Sequence, residues 1–328
     1  MPSCPDNSTA NDDGSCSCNF GYVETDGGCE PPPEPPPANF DDSNTGPSAP
    51  CSSGGCGGGG GPAGGGGGGG CGAGMCAVAT TLPLVNLRLF DTPVGYTPPL
   101  GYDVHTTLTY NQLEASQPAS MNYSNIGPQW STSWISYIQD GGALPTANSP
   151  NVQRIGAGGG STTYNNYTYN YADSTFAREL NPPAQLALVS ETPIVYERRF
   201  PDGSKEVYAT SDGATSYPRR VFLSQIVDPK GNALTLNYDG NFRLTSIQDA
   251  IGQSTTFSYG NPTNSWLITT ITDPFTRKAQ LTYDEAGRLS SITDAVGITS
   301  SFDYDGASTD IIAMRTPYGH PFQGLGAW

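Results

Sequence analysis

The hydrophobic and polar positions of residues 223–316 repeat with a fixed period. Two residue types mark this period, and they recur at Tyr238, Tyr259, Tyr283 and Tyr304 and at Asp228, Asp249, Asp273 and Asp294. Both series have the same spacing of 21, 24 and 21 residues. Two independent registers that agree indicate a repeated structural unit, present in four copies.

Each copy has the pattern of a β-hairpin. Apolar residues alternate with polar ones before each tyrosine, as in Leu234, Leu236 and Tyr238, and a period of two places one face of a strand against a core. The chain then turns after an aspartate and returns as Arg-Leu-x-x-Ile, and a second corner follows at Asp-Pro or Asp-Ala. A single hairpin is marginal in water. We therefore expect the copies to stack into a curling antiparallel sheet.

The long interval between the second and third copies contains the sequence GNPTNSW. Its position between two strand patterns indicates a three-residue turn insertion, as expected if the unit is a hairpin. We expect this insertion to leave both flanking strands intact.

Residues 77–222 are also predicted to be rich in strands. Leu87 and Leu89 alternate, as do residues around Val104, and VYERRFPDGSKEVY predicts a hairpin that turns at Asp202-Gly203. The tryptophans of GPQWSTSWISYIQDGG have helical spacing, but the flanking glycine and proline favour a strand. The predicted fold class is all-β, with a β-rich domain at 77–222 followed by the repeats at 223–328.

The N-terminal quarter of the chain has a different character. Residues 1–30 are polar and contain four cysteines, and such a segment needs covalent links to hold a shape. Residues 31–76 combine the proline sequence EPPPEPPP with a long glycine tract, which predicts a disordered linker. The cysteines that border the glycine tract are Cys51, Cys56, Cys71 and Cys76.

Two interpretations of the linker cysteines stay open. Their paired spacing is compatible with zinc, but structural zinc sites need a turn that fixes the geometry of the ligands, and polyglycine provides none. Disulfides or free thiols in a flexible tether are favoured, so we expect neither metal nor cofactor. Eight cysteines in total favour an oxidising compartment.

The formal net charge of −16 argues against a nucleic-acid partner, because such partners are bound by clustered lysine and arginine. No run of about 18 apolar residues predicts a membrane-spanning helix. The N-terminus lacks the basic and apolar regions of a classical signal peptide. We expect either export without such a signal or an origin inside a longer polypeptide.

Candidate chemistry is sparse. The repeat aspartates occupy turn positions, where aspartate serves the backbone, and neither His105 nor His320 lies in a recognisable catalytic pattern. The sequence TTYNNYTYNY predicts a strand with Tyr167, Tyr169 and Tyr171 on one face. This face is the best candidate for binding, because exposed aromatic rings can stack on sugars, although ordinary cross-strand packing also explains the pattern and is favoured over binding.

The repeats resemble the RHS or YD-repeat family through Tyr-Asp, Gly-Arg-Leu and Ile-x-Asp-x-x-Gly at a 21-residue step. The upstream sequences DTPVGYTPPLGYDVHTTLTYNQ and ERRFPDGSKEVY look like the region that precedes the repeats in bacterial RHS proteins. The resemblance implies a hollow β-shell that encloses a C-terminal toxin or, in teneurins, an extracellular adhesion body. It also implies that this chain is either the N-terminal part of a larger protein or a remnant of one.

A second, short resemblance concerns the N-terminus. CSCNFGY followed by Cys29 resembles the second half of an EGF-like module. This resemblance implies the disulfide pairs Cys4–Cys16 and Cys18–Cys29.

Two functional hypotheses follow. The first is a secreted or surface-exposed, non-enzymatic shell segment, whose partners are further YD repeats or a C-terminal toxin domain of a longer chain. The second is an extracellular adhesion module that binds a cell-surface glycan or protein.

Overall fold

The computed structural model describes residues 86–141, 150–214 and 218–316, together with the backbone of six short strands outside these ranges. The predicted linker at 31–76, its four cysteines and His320 lie outside the described residues. The strands of the described parts are β1 (Ser8–Ala10), β2 (Cys16–Cys18), β3 (Val23–Thr25), β4 (Gly28–Glu30), β5 (Ala77–Thr81), β6 (Asn86–Tyr96), β7 (Val104–Asn111), β8 (Trp130–Thr132), β9 (Tyr137–Asp140), β10 (Val152–Ile155), β11 (Ser161–Tyr164), β12 (Glu179–Leu180), β13 (Pro183–Glu191), β14 (Ile194–Arg199), β15 (Lys205–Ser211), β16 (Arg219–Val227), β17 (Ala233–Tyr238), β18 (Leu244–Gln248), β19 (Ser254–Ser258), β20 (Thr270–Thr272), β21 (Lys278–Tyr283), β22 (Leu289–Thr293), β23 (Thr299–Tyr304), β24 (Ile311–Arg315) and β25 (Phe322–Gln323). A short 3-10 helix occupies Asn166–Thr168.

The chain divides into two compact units, Met1–Asp41 and Asp42–Trp328. In the first unit β1 pairs with β2, and β3 pairs with β4, both antiparallel. The side chains of Cys4, Cys16, Cys18 and Cys29 lie outside the description, so the disulfide pairs stay a prediction.

The second unit contains the repeats. Strands β13 to β25 pair consecutively and antiparallel, so the predicted all-β fold built from stacked hairpins is confirmed. The register recurs from copy to copy: Leu236 lies opposite Ile247, and Leu281 lies opposite Ile292. All four side chains are buried. A period of two therefore places one face of every hairpin in the core, as the sequence predicts.

A four-stranded sheet, β5 to β8, precedes the repeats and shares their core. Leu89, Leu108 and Trp130 belong to the same buried cluster as Leu244 and Ile292 of the repeats. Two strands, β8 and β9, occupy the region in which strand was favoured over helix. Upstream residues thus cover the apolar face of the repeat sheet.

Strand β16 connects the two regions. Its first half, Arg219–Phe222, pairs with β9, and its second half pairs with β17. The predicted start of the repeats at residue 223 therefore lies inside a strand. The hairpin predicted around Asp202-Gly203 is confirmed by the pairing of β14 with β15.

The corners at Asp228, Asp249, Asp273 and Asp294 share one backbone geometry. The aspartate N–H donates to the carbonyl four residues ahead, and the fourth residue of the corner donates back to the aspartate carbonyl, at Asp294 over 2.9 and 3.1 Å. The fourth residue has a positive φ, for which glycine is the natural choice. In the third corner this residue is Thr276, with φ of 67°.

Replacement of Thr276 by glycine is expected to raise the free energy of unfolding by about 1 kcal/mol, because a β-branched residue is strained at positive φ. The reverse change, Gly297→Thr in the equivalent corner with φ of 90°, should lower it by a similar amount. Urea unfolding of both variants measures the difference. Equal stability of the two variants would show that the corners do not select this conformation.

The insertion between the second and third copies lies between two strands, β19 and β20, that pair with each other. Strand β20 has only 3 residues, but Thr269 just before it extends the ladder: its N–H donates to Ser258 O at 2.8 Å, and its carbonyl accepts from the N–H of Leu281 at 2.9 Å. The residues before Thr269 bond to the upstream region. The N–H of Asn125 donates to Trp266 O, and the N–H of Ile268 donates to Asn125 O, both at 3.0 Å. Both flanking strands keep their ladder pairing, as expected, and the end of the inserted loop additionally bonds to Asn125.

Candidate functional site

The four repeat tyrosines form one ladder of hydrogen bonds. Each hydroxyl donates to a backbone carbonyl 15 residues earlier, in the preceding copy. The O···O distances are 2.8 Å for Tyr238 and Tyr259 and 2.7 Å for Tyr304. The accepting residues are Leu223, Leu244, Ile268 and Leu289, which have the same 21, 24 and 21 spacing as the tyrosines. The tyrosine of each copy thus fixes the position of its neighbour.

Burial is the main cause of the raised pKa of all four tyrosines. A phenol with a raised pKa holds its proton more tightly in the folded chain than in the unfolded one. Its contribution to stability is therefore complete below about pH 10, the ordinary tyrosine pKa, and is lost as the pH rises further. The ladder requires neutral phenols, because only the protonated hydroxyl can donate.

We expect the protein to unfold cooperatively in alkali, with phenolate formation coupled to loss of structure. Phenolate absorbance and circular dichroism, followed together from neutral pH upwards, measure this coupling. The variant Tyr283→Phe should lose part of the coupled absorbance change while unfolding with the same sign of pH dependence. Full ionisation near pH 10 with an unchanged dichroism spectrum would contradict the ladder.

The aspartate corners use their carboxylates on the backbone. In each corner Oδ1 accepts from the N–H groups two and four residues ahead, at 2.9 and 2.8 Å in the corner of Asp294. Asp249 and Asp273 make the same pair of bonds. These contacts are the structural role that the sequence predicts for the repeat aspartates.

A second series of corners adds an arginine. Arg243 Nε donates to Asp239 Oδ2 at 2.7 Å, and its guanidinium lies 5.1 Å from the ring centre of Tyr259 in the next copy. Arg288 repeats both contacts, with Asp284 at 2.7 Å and with the next tyrosine ring at 4.7 Å. Burial raises the pKa of Asp239, but hydrogen bonds from Arg243 lower it more, so the net shift is downward. The arginine of the Arg-Leu motif therefore links neighbouring copies. Its offsets from the corner aspartate and from the tyrosine of the next copy are the same in both cases, and this is the sequence signal for the role.

Upstream residues contact the repeat residues directly. Ser124 Oγ lies 2.6 Å from the hydroxyl of Tyr259 and accepts from the N–H of Leu244. Trp130 Nε1 donates to the hydroxyl of Tyr304 at 3.1 Å. The hydroxyl of Tyr96 donates to Asp249 Oδ2 at 3.0 Å. No local pattern predicts these contacts, because they join residues 120 or more positions apart.

A buried charged cluster lies between β12, β14 and β15. Arg198 is fully buried and bridges two carboxylates, with Nη2 at 2.7 Å from Glu179 Oε2 and Nη1 at 3.3 Å from Glu206 Oε1. Tyr164 and Tyr208 donate to the same two carboxylates. Burial raises the pKa of Glu179, but the hydrogen bonds from Arg198 and Tyr164 and the positive charges of Arg198 and Arg154 together lower it more, so the net shift is downward.

The predicted tyrosine face is wrong in its geometry. Asn166–Thr168 forms a 3-10 helix and not a strand, because Asn165 Oδ1 accepts from the N–H of Tyr167 and closes a turn. Tyr167 is 74% exposed and Tyr171 is 61% exposed, whereas Tyr169 is buried against Phe176 with ring centres 4.9 Å apart. The three rings therefore do not share one exposed face.

The remaining candidates offer no assembled chemistry in the described ranges. His105 is exposed on β7. Among the described residues no group of three histidine, cysteine, aspartate or glutamate side chains is placed to hold a metal ion. No helix of the described residues is long and apolar enough to cross a membrane.

Residues 223–316 form consecutive antiparallel hairpins, each bound through a tyrosine hydroxyl to a carbonyl of the hairpin before it. This arrangement can be compared with known protein families. Residues 228–323 match the Teneurin YD-shell family, which confirms the YD-repeat resemblance over that segment. A comparison with curated proteins gives no match.

Proposed function

We propose that this chain is a non-enzymatic segment of a shell that encloses or presents a C-terminal effector of a longer polypeptide. The observation that carries the proposal is the tyrosine ladder, in which every copy depends on its neighbour for a buried hydrogen bond. Because each copy contacts only its neighbours, further copies can be added to the ladder in the same way. The Teneurin YD-shell match supports a structural role in a protein with more repeats, outside the cell or at its surface.

Sequencing of the transcript downstream of the codon for Trp328 tests this proposal. We expect the reading frame to continue through further copies with the 21-residue step and to end in a domain unrelated to the repeats. The longer protein should protect that domain from protease under native conditions. A reading frame without further repeats, or a C-terminal domain cleaved as fast as an unfolded control, would refute the shell function.

One observation favours a second candidate function, an adhesion module that binds glycan. Tyr167 and Tyr171 are 74 and 61% exposed, and Tyr171 also packs edge-on against Tyr169, so aromatic surface faces solvent here. A glycan array with the wild-type chain and the variant Tyr167→Ala/Tyr171→Ala tests it. The buried Tyr169, changed to phenylalanine, provides the control. Binding that survives the double change, or no binding by the wild type, would reject this candidate.

A further inference from the structure

One edge of the repeat sheet carries exposed apolar side chains at equivalent positions. The third residue of three consecutive aspartate corners is Ile251, Phe275 or Val296, and these side chains are 45, 54 and 77% exposed. We call these three residues the apolar corner row. Neighbouring corners are two strands apart, which is about 10 Å, so the row is about 20 Å long.

The row is not a general property of the hairpin corners. At the opposite edge of the sheet the third residues are Asn241 and Ala286. Corner positions normally carry polar or small residues, because they face water. The same edge begins with Asp202 and Lys230 at this position. Along this edge, an apolar third residue therefore occurs only in the three corners that form the apolar corner row.

A separate part of the chain adds to the same edge. Leu100 is 53% exposed, and the next residue, Gly101, lies against the first two repeat corners. A Cβ at Gly101 would stand 3.3 Å from the Cβ of Asn232 and 3.6 Å from that of Ala250. Leu100 thus extends the apolar surface next to Ile251.

The three corners of the row carry no exposed carboxylate. The carboxylates of Asp249, Asp273 and Asp294 are buried and held by backbone N–H groups. The exposed ionisable side chains at these corners are the cations Arg277 and Lys278, of which Arg277 is paired with the buried Asp273. The preceding corner carries Lys230 with the half-buried Asp228, and the exposed Asp202 lies one corner further along the edge. Exposed acidic residues of the repeats, Glu285 and Asp305, lie at the opposite edge.

The row alone is too small for a stable protein interface, because such an interface covers about 800 Å² on each partner and a single line of side chains covers much less. Protruding apolar tips with lysine and arginine behind them fit a bilayer surface, where apolar groups enter the interface and cations reach anionic headgroups. The net charge of −16 acts against approach, but it is screened beyond about 8 Å at physiological salt.

We propose that the apolar corner row is a peripheral contact site for an anionic lipid bilayer. Ile251, Phe275 and Val296 enter the interfacial region, and Lys230 and Lys278 face the headgroups. This site goes beyond the proposed shell function and does not depend on it.

Sedimentation of the full chain with vesicles tests the proposal. Vesicles of equal parts phosphatidylcholine and phosphatidylglycerol should bind the wild type more tightly than pure phosphatidylcholine vesicles. The variant Phe275→Ser/Val296→Ser should bind at least about tenfold more weakly, because two apolar side chains no longer enter the interface. The matched control, Asn241→Ser/Ala286→Ser in the corners of the opposite edge, should bind as the wild type does.

Fold and association state are measured on the same samples by circular dichroism and light scattering. Unchanged dichroism in the double variant keeps the comparison valid, and Lys230→Gln/Lys278→Gln gives a second, milder test with an expected loss on anionic vesicles only. The proposal is overturned if the wild type does not sediment with either vesicle or if both double serine variants bind equally. It is also overturned if the wild type is a dimer that Phe275→Ser/Val296→Ser dissociates, since the row then covers a second copy.

Discussion

Replacement of Arg198 by alanine is expected to lower the free energy of unfolding by about 3–5 kcal/mol. Arg198 is fully buried and is the common partner of Glu179 and Glu206, which are themselves almost inaccessible. Removal of the guanidinium leaves two carboxylates without the cation that hydrogen-bonds both of them, in a medium that solvates charge poorly. Chemical denaturation of the wild type and the variant measures the loss.

Arg315 provides the matched control. It pairs with Asp303 through a bridge in which the two side chains are 59 and 38% exposed. Arg315→Ala should therefore change the free energy of unfolding by less than about 1 kcal/mol. Equal losses for the two arginines would mean that the cluster around Arg198 is hydrated, which would contradict the burial described above.

A second large effect is expected for Ile311→Ala, which should cost about 2–5 kcal/mol. Ile311 is 2% exposed and lies on the core face of β24. Its neighbour Ile312 points to the other face and is 36% exposed. Ile312→Ala should cost well under half as much, because little cavity is left in water.

This pair of substitutions tests the two-residue period of the repeat sheet within a single strand. Thermal or denaturant unfolding of both variants gives the comparison. A larger loss for Ile312 than for Ile311 would place the core on the opposite face and reverse the register of β24.

The repeats were predictable from sequence because each copy repeats the same local chemistry. A tyrosine in an alternating strand, an aspartate at a corner and a glycine three residues later each favour one conformation. Four agreeing copies remove the ambiguity of a single one. The corner geometry at Gly231, Gly252 and Gly297, with φ near 90°, follows directly from that pattern.

The arrangement of Tyr167, Tyr169 and Tyr171 was not predictable from alternation alone. Alternating tyrosines predict a strand, but the asparagines between them compete by bonding the local backbone, and Asn165 closes a turn. The asparagines predict a turn and the alternating tyrosines predict a strand, and here the asparagines determine the local structure.

The buried charged cluster around Arg198 could have been predicted from the alternation of residues along its strands. Arg198 follows Ile194 and Tyr196 at intervals of two, so the strand period directs it into the core. Glu206 precedes Tyr208 in the same way on β15. Opposite charges at two inward positions of paired strands indicate a buried ion pair.

The contacts between the upstream sheet and the repeats have no such signal. Residues such as Ser124 and Trp130 reach the repeat tyrosines across more than 130 positions of sequence. Their positions depend on how two sheets meet, which a local pattern does not encode.

The loop at GNPTNSW makes one interval between copies longer than the others, so the four copies are not equivalent. If all copies had the same length, the upstream sheet could pack at several equivalent positions on the repeat sheet. Packing shifted by one copy would then cost little free energy. The backbone of Asn125 bonds only where the longer loop brings Trp266 and Ile268 within reach. The three extra residues thereby fix which copies the upstream sheet packs against.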